Sequence, residues 1–152
     1  MILSTIADSN NQVAKECNDN LKLEFIDPRE DIFIEADKGR INQVISNFLN
    51  NAIKFTNEGT VSITVTVVSK NDEIVVSISD TGSGIDSEIL PKLFTKFATK
   101  STLGTGLGLF ISKSIIDAHG GRIWGKNNYP EGKGATFGFS LPLHDRKFEL
   151  LP

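Results

Sequence analysis

Thr60-Val61-Ser62-Ile63-Thr64-Val65-Thr66-Val67-Val68-Ser69-Lys70, followed after a turn at Asn71-Asp72 by Ile74-Val75-Val76-Ser77-Ile78-Ser79-Asp80, decides the architecture. In the first run Val61, Ile63, Val65 and Val67 fall on one side, with Ser62, Thr64 and Thr66 on the other. The second run returns with Ile74, Val76 and Ile78 in register. Strict alternation of this kind predicts an antiparallel pair with one buried face. Helices then cover that face alone. The pattern therefore predicts a two-layer α/β sandwich, with a mixed, mostly antiparallel sheet, and not a doubly wound sheet.

Outward from this pair, the spacing predicts a helix over 2–18, a strand over 21–26 stopped by Asp27-Pro28, and a second short strand over 32–36. Asp37 reads as the N-cap of a helix running to about Thr56. Its buried stripe is Ile41, Val44, Ile45, Phe48, Leu49, Ala52 and Phe55. Residues 86–97 read as short helical or irregular pieces and 98–103 as a loop. A helix after Gly104 ends at His119-Gly120-Gly121, and strands over 122–127 and 135–142 close the domain.

The chain has 152 residues, 39% of them hydrophobic and 23% charged, which fits a single globular domain and excludes a disordered one. Residues 1–143 are expected to form the domain and 144–152 a C-terminal tail. A net charge of -3 gives no electrostatic footprint for nucleic acid or anionic lipid. One cysteine, Cys17, makes no internal disulfide and suits a reducing compartment, so a cytoplasmic location is expected. No stretch nears the roughly 20 apolar residues of a membrane span. Met1 to Asn11 carry no signal-peptide pattern, and the chain can equally be a fragment of a larger protein.

Three groups of residues stand apart. Asp80 shares the parity of Ile74, Val76 and Ile78, so its carboxylate should face the helix layer, where it needs donors. Two readings stay open: amides of the Thr81–Gly84 turn satisfy it, which spacing alone favours, or it accepts from an exocyclic amine such as that of adenine. Gly82 and Gly84 allow a tight turn or close approach to a planar ligand. Asn47, Asn51 and Lys54 share a helix face at the rim of the stripe, and four asparagines between 47 and 57 are unusual for a helix former. Amide oxygens suit Mg²⁺ and an ammonium suits phosphate, against the alternative of a solvated face. Gly104-Thr105-Gly106-Leu107-Gly108 enters an apolar helix, offering free amides to an anion, against the alternative of a hinge.

Two other glycine patterns fail. Gly120 to Lys126 matches the spacing of a P-loop, but Asn127 replaces the Ser/Thr and Ile123-Trp124 reads as strand. The dinucleotide fingerprint fails because Leu109 stands where its last glycine belongs.

Taken together, the chain from about residue 4 to 143 resembles the catalytic ATP-binding domain of sensor histidine kinases, in the Bergerat-fold or GHKL superfamily. Arg40 to Thr56 resembles the N box, Asp80 to Ile85 the G1 box, Leu93 to Phe97 the F box, Gly104 to Leu109 the G2 box and Gly134 to Pro142 the closing strand. The resemblance implies ATP and Mg²⁺ as cofactors. It makes Asp80 the acceptor for the adenine amino group, with Gly82, Gly84 and Ile85 bordering the ring. Asn47 and Asn51 would meet Mg²⁺ and phosphates, with Lys54 beside them. Thr105, Gly106, Leu107, Gly108 and Leu109 would close over the phosphates, and Thr136 would join the adenine end through its hydroxyl. Residues 86–104 would form a lid, with Lys100 as its basic residue near the γ-phosphate.

The family phosphorylates a histidine on a separate dimerisation helix. Here His119 sits in a helix-ending His-Gly-Gly, and His144-Asp145 lacks the proline five residues on, since position 149 is Glu. The resemblance therefore implies a module that needs the dimerisation or phosphotransfer helices of a parent kinase and, indirectly, a response regulator; the isolated domain is expected to be a monomer. Two alternatives differ in class. A water-activating ATPase of the same superfamily needs a glutamate where Asn47 stands. A serine-kinase anti-sigma-type regulator or a pseudokinase would be consistent with the short lid at Ala98-Thr99.

Overall fold

The computed structural model describes residues 21–26, 32, 34–97 and 106–143. The helix expected over 2–18, the 98–103 loop, Lys100, Thr105 and His144 lie outside them.

Asp37 opens the first described helix as expected: it is extended, and its Oδ1 accepts from Arg40 N–H at 3.1 Å. This helix, α1, spans Lys38–Lys54 and buries Ile41, Val44, Ile45, Phe48, Leu49 and Ala52. Phe55 departs from the expected stripe. It lies one residue past the helix and is 45% exposed, with Lys54 Nζ 5.4 Å above its ring.

Among the described residues five strands form one sheet: β1 (Leu21–Ile26), β2 (Gly59–Val68), β3 (Glu73–Asp80), β4 (Arg122–Asn127) and β5 (Ala135–Pro142). Their order is β1-β2-β3-β5-β4, with β1 parallel to β2 and the other neighbours antiparallel. The β2–β3 register pairs Ile63 with Ile78 and Val65 with Val76, so the alternation read from sequence becomes one buried face. The connection uses a 3₁₀ turn over Ser69–Asn71 and Asp72 at φ 49°.

The second described helix, α2 (Gly108–Ala118), starts at the last glycine of the run expected to precede it, and both helices lie on the same sheet face. Phe48 fills the space between layers, against Phe137 at 5.5 Å and Phe139 at 6.1 Å between ring centroids. The expected two-layer sandwich is therefore present. His119 is structural, as expected. Its Nδ1 meets Ile115 O at 2.7 Å, and its Nε2 accepts from Asp37 N–H at 3.1 Å, tying the end of α2 to the start of α1.

Among the described residues of the strand expected over 32–36, none is in the sheet. Ile32 and Ile34 are buried, but Ile34 to Asp37 is irregular and outside the sheet. The alternation there reflects two side chains docking into the core rather than a ladder of backbone hydrogen bonds.

Candidate nucleotide site

Asp80 ends β3 on the helix-facing side, 3% exposed, in line with Ile74, Val76 and Ile78. Its Oδ1 accepts from Gly82 N–H at 2.9 Å and from Ala135 N–H at 3.2 Å. Both bonds converge on one oxygen. No hydrogen bond from a described residue reaches Oδ2. Of the two sequence readings, the first is present: amides of the turn and of β5 fix the carboxylate through one oxygen. Burial pushes the Asp80 carboxyl above its ordinary value, while the Gly82 and Ala135 amides pull it back.

The glycines of this turn serve the protein as much as any ligand. A Cβ on Gly82 would sit 2.1 Å from Phe55 O, so this position is pressed against the end of α1, where Ser83 N–H also donates to Phe55 O at 3.2 Å. Gly84 holds φ +81°, and a Cβ there would lie 2.8 Å from Asn127 Oδ1. Asn127, on β4, receives Ile85 N–H at 2.6 Å and donates to Ile85 O at 3.0 Å. Asn128 donates to Asp80 O at 3.0 Å, Lys133 O at 2.9 Å and Ser79 Oγ at 3.2 Å. These two amides hold the Asp80–Ile85 turn from the far side, and sequence reading missed both. Their only signal was an Asn-Asn pair ending a strand, which reads equally as turn chemistry.

Thr136 is not brought to this group. It pairs with Ser79, whose side chain faces away from the helices, and its hydroxyl donates to Asn128 Oδ1 at 2.6 Å and meets Ser79 Oγ at 2.9 Å. Adjacent strand residues point to opposite faces, so the β5 position beside the Asp80 carboxylate is Ala135. The expected hydroxyl contact from Thr136 to the adenine end is corrected accordingly.

Asn47 lies on the α1 face that meets α2. Its Nδ2 donates to Gly108 O at 3.1 Å and Ser112 Oγ at 3.0 Å, and the buried Ser112 hydroxyl donates to Gly108 O at 2.9 Å. The Asn47 amide nitrogen is therefore spent on joining the helices, leaving Oδ1 as an acceptor. Asn51, one turn on, is half-buried, and its side chain has no hydrogen bond to a described residue. Lys54 is exposed. Ile85 and Leu109 are partly buried against the core.

Gly106 holds φ +71°, and its carbonyl accepts from Phe97 N–H at 2.8 Å. Leu107 caps α2 without a side-chain hydrogen bond, and the first helical bond runs from Ile111 N–H to Leu107 O at 2.9 Å. The amides of Gly108, Leu109 and Phe110 precede it and have no intrahelical partner, as suits an anion. Between the end of α1 and the turn after β3 lies a cleft of about 660 Å³, lined by Lys54, Phe55, Gly82, Ser83 and Lys133 among others. Its lining includes neither Asp80 nor Asn47 and Asn51.

Among the described residues no three His, Cys, Asp or Glu side chains gather to hold a metal. The donors present, Asn47 Oδ1 and Asn51, fit instead an oxygen-seeking ion that takes most of its ligands from phosphates and water.

Residues 36–145 match the family of histidine kinase-, DNA gyrase B- and HSP90-like ATPases. The chain belongs to this family. Within it, the likeness is to histidine kinases: the sensor protein FixL of Bradyrhizobium diazoefficiens is 40% identical over 129 residues, which are 83% of this chain and 25% of FixL. The nucleotide-free catalytic domain of the histidine kinase ThkA is 36% identical with a TM-score of 0.81, over 92% of this chain and 91% of that domain. ThkA has also been solved with the response regulator TrrA, at 33% identity and a TM-score of 0.77 over 95% of this chain and 41% of that one. Full-length ShkA with AMPPNP is 28% identical with a TM-score of 0.82, over 94% of this chain and 30% of that one. The chain is thus a histidine-kinase-type catalytic domain, spanning about a quarter of the length of FixL. No helix among the described residues is long and apolar enough to cross a membrane.

Proposed function

We propose that this domain binds Mg·ATP and presents the γ-phosphate to a histidine on a separate dimerisation helix, in two-component signalling. The observation that supports this reading is the buried Asp80 carboxylate, one oxygen held by two backbone amides and the other without a hydrogen bond from a described residue; that second oxygen would accept from an exocyclic amine. The AMPPNP complex of ShkA supports the choice of nucleotide. Gly82, Gly84 and Ile85 would border the base, with Asn127 and Asn128 keeping their turn in place.

The G2 residues Thr105, Gly106, Leu107, Gly108 and Leu109 would bind phosphate oxygens, through uncapped amides at the start of α2. Lys54 and Lys100 would offset charge on the β- and γ-phosphates. Asn47 Oδ1 and Asn51 would hold magnesium, which when bound neutralises phosphate charge during transfer. In that transfer the bond between the γ-phosphorus and the bridging oxygen breaks. A bond to an imidazole nitrogen forms, ADP leaves, and the imidazole proton passes to a base on the acceptor domain.

Residues 1–143 would make up the catalytic domain, monomeric in isolation, with 144–152 as a tail. Its partners would be the histidine-bearing helices of a parent kinase and, indirectly, a response regulator, a reading supported by the ThkA–TrrA complex. The parent's catalytic end would lie in the cytoplasm. A water-activating ATPase is disfavoured, because Asn47 is an amide and its nitrogen is already committed to Gly108 and Ser112. Incubation with labelled ATP and a phosphoacceptor helix-hairpin tests the proposal. Acid-labile, base-stable phosphate on the hairpin is expected, whereas rapid ATP hydrolysis by the domain alone with no transfer would contradict it.

A further inference from the structure

Thr56 follows the end of α1 and is 2% exposed. Among the described residues, its hydroxyl is the buried side-chain polar atom that makes no hydrogen bond. A buried donor left unpaired is costly, and native structures seldom keep one without a use for it. The side chain's orientation indicates that use. Its methyl faces Gly59, where a Cβ would lie 3.5 Å from Thr56 Cγ2. Its hydroxyl lies under the turn after β3, 2.7 Å from where a Cβ on Gly82 would be. There it lies beside Gly82, whose N–H donates to the Asp80 carboxylate at 2.9 Å, and itself makes no hydrogen bond.

Among the described residues, β5 offers the carboxylate no comparable group. Ala135 contributes a backbone N–H and no hydroxyl, and Thr136 is turned to the opposite sheet face. Asp80 is 3% exposed, and a purine amino group docked on Oδ2 would remove the solvent access that remains. The carboxylate must then remain an anion with less solvation, so a further donor is worth most in the bound state. A threonine hydroxyl supplies one by rotating about its C–O bond.

We propose that Thr56 is a positioning residue for purine recognition, its hydroxyl unpaired in the free domain and turning to donate to the Asp80 carboxylate once the base is bound. This rests on the assignment of Asp80 as the purine acceptor.

The consequence is that stability and affinity respond oppositely to the same substitution. Thr56→Val keeps the shape and deletes the unpaired hydroxyl. The variant should therefore melt at the same temperature as the parent chain or higher, yet bind Mg·ATP about five- to tenfold more weakly by calorimetry. Thr56→Ser keeps the hydroxyl and should hold the affinity within about twofold. A purely structural threonine would show the reverse pattern, with a lower melting temperature for Thr56→Val and an unchanged affinity in the folded fraction. That result, or a Thr56→Ser variant as impaired in binding as Thr56→Val, overturns the proposal. Failure of the unmodified chain to bind ATP would instead remove the purine assignment beneath it.

Discussion

Asn127 grips Ile85 by both main-chain polar groups, with contacts of 2.6 Å to the N–H and 3.0 Å to the carbonyl across 42 residues of sequence. Ile85 is where the chain leaves the Asp80 turn for the segment read as the lid. One amide side chain on β4 therefore fixes the end of the Asp80–Ile85 turn.

Asn127→Ala should remove both contacts and free the Ile85 amide. Hydrogen exchange at Ile85 is expected to quicken while amides in the α1 core stay protected, and ATP affinity should fall by about tenfold, roughly 1.4 kcal/mol. Unchanged exchange at Ile85 would show that other contacts hold the turn.

Asp80→Asn preserves an oxygen for the Gly82 and Ala135 amides and turns the other acceptor into a donor. The buried charge disappears, so thermal stability near neutral pH should hold or rise. Adenine binding should weaken by about 1–3 kcal/mol or more. Melting curves and nucleotide titrations on the same preparation separate the two effects.

The pH dependence follows from the same carboxyl. Burial sets Asp80 above its ordinary value, so between that value and the raised one the folded state binds more protons than the unfolded state. Folding stability contributed by this group must then fall as pH rises through that window. ATP affinity should climb across the same window, because only the ionised group accepts two donors and an amine. A pH series of melts and titrations checks both slopes, and Asp80→Asn should flatten them.

Asn47 and Asn51 should behave differently, although both belong to the N box. Asn47→Ala deletes the donor to Gly108 O and Ser112 Oγ that joins the two helices, and should cost about 1–2 kcal/mol of folding stability besides any loss of binding. Asn51→Ala should leave the melting temperature near its parent value and weaken only the Mg²⁺-dependent part of ATP binding. Comparing titrations with and without Mg²⁺ gives the contrast.

The sequence made the sheet legible because its alternation is strict, and that parity alone put Asp80 on the helix side. The Asp37 cap and the His119-Gly120-Gly121 stop were readable for the same reason, each being local chemistry. Ile32 to Ala36 misled because alternating burial does not require a ladder. Phe55 misled because the helix ends one residue before it. Thr136 misled through a shift of one residue, which in a strand exchanges the two faces; the Ser79–Thr136 pairing was needed to see it. Asn127, Asn128 and Ser112 act through contacts distant in sequence, and no local pattern announces such contacts.

A calorimetric titration of the chain with Mg·ATP and, separately, Mg·GTP tests the central assignment most directly. With Asp80 Oδ2 reading the amino group of adenine, ATP should bind and GTP should bind at least about tenfold more weakly, because its six-position carbonyl oxygen would meet a carboxylate. Equal affinities for the two nucleotides would contradict the account.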